Sequence, residues 1–122
     1  MSRSRGEAIE QQVEQYLVSR GLTPVMRNFT ARCGEIDLIM RDGNTLAFVE
    51  VRYRQRAGFG SAAESVDWRK QQKLSRSAAL FLQQHPQYQS QACRFDVVAC
   101  QPDNGGSLQI DWLQNAFDGC SN

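Results

Sequence analysis

Two strand-like runs of the chain carry acids in their interiors. The run GEIDLIM (34–40) holds Asp37, and TLAFVEVRYR (45–54) holds Glu50, with Arg52 two residues further on. Between them Arg41-Asp42-Gly43-Asn44 has the Asp-Gly and Gly-Asn signals of a tight hairpin turn. Successive side chains of a strand alternate between faces, so in a hairpin closed by a two-residue loop odd Asp37 shares its face with even Glu50 and Arg52. With Gly43-Asn44 as the turn, paired numbers sum to 87 and Asp37 stands directly opposite Glu50. Opposed like charges weaken a sheet, and half-burial of two carboxylates raises the proton affinity of one of them. A cation between them relieves that cost. One reading is a structural salt-bridge cluster completed by Arg52. The other is a divalent metal site, because Mg²⁺ favours one or two carboxylates together with water and phosphate oxygens. Residue types and spacing leave both open.

The elements that position this hairpin are legible from periodicity. Ile9, Val13, Tyr16 and Leu17 recur at helical spacing before Gly21, which predicts an amphipathic helix over 6–20. Glu10 falls at the border of its apolar stripe, from where it can reach inward. Residues 24–31 read as a first strand, and 35–41 with 45–53 as the hairpin. A second helix is predicted from an Asp67 N-cap to Gln84, ended by His85-Pro86, with Leu74, Ala78, Phe81 and Leu82 as its stripe. One turn back along that stripe stand Lys70 and Gln71, which places polar groups toward the acids. CRFDVVAC (93–100) and SLQIDWL (107–113) complete the strands. The order is αβββαββ, an α/β class with a mixed sheet, in one domain over 1–122.

Composition bounds the function classes. The chain has 122 residues, 41% hydrophobic and 22% charged, which fits an ordinary globular domain and excludes low-complexity or fibrous types. No apolar run is long enough to span a bilayer, and the start MSRSRGEAIEQQ lacks the apolar stretch of a secretory signal, so a cytoplasmic location without membrane partners is expected. Cys33, Cys93, Cys100 and Cys120 lack CxxC spacing and read as free thiols, and His85 reads as a helix-end residue, not a zinc ligand. The net charge of +1 hides a local excess: from Arg52 to Arg76 seven basic residues face only Glu64 and Asp67, a net +5. Arg54, Arg56, Lys70, Gln71 and Lys73 in or beside this stretch are the candidate nucleic-acid contacts. Lesser candidates are Phe59, read as packing against the sheet in preference to stacking on a base, and Asp96, read as a satisfied structural acid. Glu35 is expected to reach Arg94 or solvent.

An acid in one strand followed by Glu50-Val51-Arg52 in the next resembles the PD-(D/E)XK nuclease superfamily. GEIDLIM with FVEVR resembles, more closely, the YraN family of uncharacterised bacterial proteins, which are similar to archaeal Holliday-junction resolvases. Gly6 and Glu10 before YL, RNF (27–29), Lys70 with Lys73-Leu74, CRFDVV (93–98) and NAF (115–117) extend the resemblance over most of the chain. It implies a restriction-endonuclease-like core in which Glu10, Asp37, Glu50 and residue 52 converge on Mg²⁺ or Mn²⁺, the acids as metal ligands and residue 52 as the catalytic cation. It implies further a DNA partner and, as for such resolvases, a homodimer. The expected function is metal-dependent hydrolysis of phosphodiester bonds in structured DNA; the alternative is a nucleic-acid-binding module that keeps the fold without turnover. The family lysine is Arg52 here, and arginine stays protonated at any relevant pH, so it can clamp a phosphate but cannot act as a general base.

Overall fold

The computed structural model describes residues 3–54, 66–103 and 105–118. Chain order is α1 (Arg3–Ser19), β1 (Thr23–Ala31), β2 (Gly34–Asp42), β3 (Thr45–Tyr53), α2 (Trp68–Gln84), a 3₁₀ turn (Pro86–Tyr88), β4 (Ala92–Pro102) and β5 (Leu108–Phe117). The predicted order of helices and strands is reproduced. The strands form one mixed sheet in sequential order β1-β2-β3-β4-β5, antiparallel except for the parallel β3–β4 pair that α2 connects.

The two helices cover opposite faces. Val13 and Leu17 of α1 pack with Leu38, Met40, Ala47, Val49 and Val98. On the other face Leu74, Ala78 and Phe81 of α2 pack with Ile39, Phe48, Phe95 and Val97. Phe81 anchors this second core through edge-on contacts with Phe29 and Phe48, ring centroids 5.4 and 6.1 Å away. Each fully buried side chain of this kind contributes on the order of 1.5–3 kcal/mol.

The β2–β3 hairpin closes as its turn residues dictate. Asp42 pairs with Thr45 and Leu38 with Val49, the register expected from a Gly43-Asn44 turn, and Gly43 takes φ +61° at the first central position. Asp67 caps α2 by accepting the Lys70 N–H at 2.9 Å. At its other end His85 stacks on Phe81 at 4.1 Å, with Nδ1 2.9 Å from the Phe81 carbonyl oxygen, as a helix-end residue should.

Two element boundaries differ by more than two residues from the sequence-based expectation. Helix α1 starts three residues earlier, at Arg3. Strand β5 runs four residues past Leu113, because Asp96 holds the Asn115 N–H at 2.9 Å while Asn115 takes φ +52°, which lets β5 re-pair through Phe95 and Phe117. Cys33, Cys93 and Cys100 are free thiols. Arg56, Phe59, Glu64 and Cys120 lie outside the described residues.

Candidate active site

The register that pairs Leu38 with Val49 carries Asp37 to the position across from Glu50. Their carboxyls meet: Glu50 hydrogen-bonds Asp37, and the Val51 backbone N–H donates to Asp37 Oδ2 at 2.8 Å. Glu10 arrives from α1 and hydrogen-bonds Asp37 in turn. The inward reach expected from its place on the stripe border is therefore realised.

Two cations close on the same oxygen of Glu50. Arg52 Nε lies 3.4 Å and Lys70 Nζ 3.6 Å from Glu50 Oε2. Glu50 is only 5% exposed. Its other oxygen, Oε1, has no hydrogen-bond partner, and neither does Glu10 Oε1 or Arg52 Nε. Two buried acceptors and one buried donor thus stand unsatisfied in one small region, where each such group ordinarily costs about 1–3 kcal/mol.

The electrostatics match that geometry. Burial, and then the charge of Asp37, pushes the Glu50 carboxyl up to about 7 despite Lys70 and Arg52. Burial, then Asp37, pushes Glu10 up to about 7 as well, with an Asn28 hydrogen bond opposing. Burial raises Asp37 too, but Asp37 also accepts the Val51 N–H and a hydrogen bond from Glu50, both of which favour its charged form. The cluster therefore holds protons at neutral pH that solvated carboxylates would have lost.

Gln71, in the first turn of α2, donates from Nε2 to the Val66 carbonyl oxygen at 2.9 Å and tightens the start of the helix. Arg54 is exposed where β3 ends, its N–H held by the Cys100 carbonyl oxygen, and Lys73 is exposed on α2. Glu35 is exposed, and its charge raises the proton affinity of Asp37 and Glu10. Arg94 pairs not with Glu35 but with Asp42 and Asp96, at 3.0 and 2.9 Å. Asp96 is the satisfied structural acid expected from its strand: it also accepts from Trp112 Nε1 at 3.0 Å and from Asn115 N.

Asn28 is the site residue that pattern reading misses. Its neighbours Arg27 and Phe29 pair with Leu38 and Ile36, which sets Asn28 opposite Asp37, and its φ of +55° turns it out of strand geometry. From there its side chain hydrogen-bonds Glu10. The only available signal was an asparagine, a poor strand former, inside a strand. An open groove of about 550 Å³ bounded by Glu7, Gln11, Arg27 and Asn28 lies beside it.

Among the described residues, no group of three or more Asp, Glu, His or Cys side chains is placed so that it could hold a metal ion. What Asp37, Glu50 and Glu10 present is an open arrangement of carboxylate oxygens. Mg²⁺ itself needs only one or two protein carboxylates when water and phosphate oxygens fill the other positions.

A mixed sheet between two helices, with an acid cluster on its central hairpin, defines an α/β protein. The chain belongs to the uncharacterised protein family UPF0102, whose sequence profile matches residues 9–100, and this is the YraN family that its hairpin motifs resemble. It is 48% identical over 113 residues to a UPF0102 protein of Pseudomonas putida strain GB-1, covering 93% of this chain and 92% of that one. It is 48% identical over 117 residues to a UPF0102 protein of Stutzerimonas stutzeri (96% and 97% covered) and 52% over 115 residues to one of Aeromonas hydrophila (93% and 85%). Among the described residues, no helix is long and apolar enough to cross a membrane.

Proposed function

We propose that this protein is a metal-dependent endonuclease of the PD-(D/E)XK kind that binds nucleic acid and hydrolyses phosphodiester bonds in structured DNA. The observation that carries the reading is the set of unsatisfied buried atoms, Glu10 Oε1, Glu50 Oε1 and Arg52 Nε, around the proton-sharing Asp37. Two buried carboxylate oxygens without a hydrogen bond, beside the Arg52–Glu50 ion pair, suit a divalent cation together with a phosphate oxygen.

Bound Mg²⁺ or Mn²⁺ would supply charge stabilisation at the phosphate and a more acidic water. Asp37, oriented by the Val51 N–H, and Glu50, with its free Oε1, are the carboxylates to hold it, with Glu10 as the third acid. Arg52, a fixed cation, orients the phosphate and stabilises the charge that grows on its oxygens. Lys70 comes to Glu50 from α2 and not from the β3 motif.

The presence of Arg52 where the superfamily has lysine favours one second reading, a nucleic-acid-binding module without turnover. Cleavage of linear, branched and single-stranded DNA in Mg²⁺, Mn²⁺ or chelator, by wild type and Asp37→Asn in parallel, separates the two. The nuclease reading expects metal-dependent cleavage of at least one substrate by wild type and none by Asp37→Asn. Binding without cleavage across the whole panel would leave the binding module.

A further inference from the structure

Helix α2 carries Arg69, Lys70, Lys73 and Arg76 and not one acidic residue. Lys70 turns toward Glu50, whereas Arg69, Lys73 and Arg76 are exposed and, at spacings of four and three residues, fall within an arc of about 60°. Like charges at such spacings repel, and Arg69 lies in the first turn, where the helix dipole disfavours cations. Among the described residues, none of the three has an ion-pair partner, and neither does Arg32 in the β1–β2 turn. This stripe weakens the helix it decorates, so helix stability does not explain it.

Its path is set by the packing. Gly34, with φ +153°, draws the β1–β2 turn against α2 so closely that a Cβ there would lie 3.6 Å from both Lys73 Cβ and Ser77 Oγ. Arg32 is thereby brought alongside the middle of α2. Beyond it an open groove of about 770 Å³ runs between the turn and α2, with Ala31, Ala79 and Leu80 as apolar lining and Arg32, Arg76 and Gln84 as polar lining.

We propose that Arg69, Lys73, Arg76 and Arg32 form a phosphate track that guides one DNA strand from the acid cluster across α2 to the groove at the β1–β2 turn. The proposal rests on the nuclease reading for the place where the track begins. Arg69 and Arg76 are separated by about 10 Å along the helix axis at 1.5 Å per residue. A span of that length covers more than one phosphate of a single strand, so the cations can meet the backbone at more than one point. The groove, apolar in its middle and cationic at its rim, accepts a nucleotide with its sugar on Ala79 and Leu80 and its phosphate on Arg32 and Arg76. None of these contacts involves a base edge, so the track sets affinity and direction and not sequence preference.

The test is fluorescence anisotropy of a short labelled DNA duplex over a salt series in chelator, where no metal-dependent cleavage intervenes. It compares wild type, Arg32→Gln/Arg76→Gln, and an equal-charge control, Arg20→Gln/Arg41→Gln, whose residues lie off the track. The track variant should lower the slope of log affinity against log salt by about 2, with at least a tenfold loss of affinity at low salt, while the control keeps the wild-type slope. An unchanged slope in the track variant, an equal loss in the control, or no DNA binding by wild type would overturn the track. Asp37→Asn, assayed in parallel, should keep the wild-type slope. If wild type binds through the track yet never cleaves with metal, the nuclease reading fails and the track stands.

Discussion

Glu50 and Asp96 are two buried acids on the neighbouring strands β3 and β4, and they are solved in opposite ways. Asp96 is fully buried, and both its oxygens are engaged by Arg94, Trp112 and the Asn115 N–H. Glu50 is 5% exposed, leans on two cations through one oxygen only, and leaves the other without a partner. A buried acid whose hydrogen bonds are complete is architecture: it fixes the β4–β5 register and the bend at Asn115. A buried acid left incomplete beside two more acids is unfavourable for folding, and a ligand that completes it is the physical reason for keeping it.

The largest expected effect breaks the architectural acid. Asp96→Asn takes from the Arg94 guanidinium, whose side chain is only 16% exposed, the partner of its Nε, leaves it Asp42 alone, and weakens the Trp112 and Asn115 contacts. A loss of about 3–5 kcal/mol in urea denaturation is expected. Glu50→Gln should cost far less, and equal losses at the two positions would erase the distinction.

Next comes Arg52, which divides catalysis from binding. Arg52→Ala should slow metal-dependent cleavage by a factor of about 100 or more, while Arg52→Lys retains or raises it. Cleavage rates indifferent to both changes would remove Arg52 from the site's chemistry.

A smaller effect follows from proton sharing. Glu50 and Glu10 are pushed up to about 7 from an ordinary value of 4.5. An acid that binds its proton more tightly folded than unfolded stabilises the fold fully below its unfolded value and loses that contribution as pH rises through its folded value. Metal-free wild type should therefore melt lower at about pH 8 than at about pH 5, and Glu50→Gln should flatten part of that fall. A melting temperature that rises over this window would contradict the shared-proton cluster.

The smallest expected effect is at Glu35, whose charge adds to the proton affinity of Asp37 and Glu10 from an exposed position. Glu35→Gln should move the midpoint of the pH-dependent melting slightly downward and change stability at pH 5 by less than about 0.5 kcal/mol. A change as large as that of Glu50→Gln would mean that the cluster extends to Glu35.

The half of this comparison that concerns Glu50 was legible in the sequence, because turn chemistry and strand alternation are local rules. Gly43-Asn44 fixes the register, the register sets Asp37 across from Glu50, and helical periodicity puts Glu10 on the border of its stripe. Asn28 was not legible, since its role depends on a positive φ that suspends alternation in β1. The Gln71 hydrogen bond to the Val66 carbonyl oxygen was not legible either, because extending the α2 stripe says where a side chain begins and not which backbone group it meets. The end of β5 was missed for a similar reason: Asp96, nineteen residues away, holds Asn115 and prolongs the strand. Of the two places expected for Glu35, Arg94 or solvent, it takes solvent, and the Arg94 partners Asp42 and Asp96 follow from a sheet pairing that only the folded topology defines.

The central claim is that the incomplete acids are a cation site, and Mn²⁺ tests it without relying on turnover. The electron paramagnetic resonance signal of free aquated Mn²⁺ is titrated at about pH 7.5 with wild type, Asp37→Asn and Asp96→Asn, each alone and with a short DNA duplex, the duplex alone serving as baseline. The account predicts that wild type with duplex removes Mn²⁺ signal beyond the sum of its parts, that folded Asp96→Asn does the same, and that Asp37→Asn does not. Equal signal loss in wild type and Asp37→Asn, or no loss in wild type with or without DNA, would contradict it.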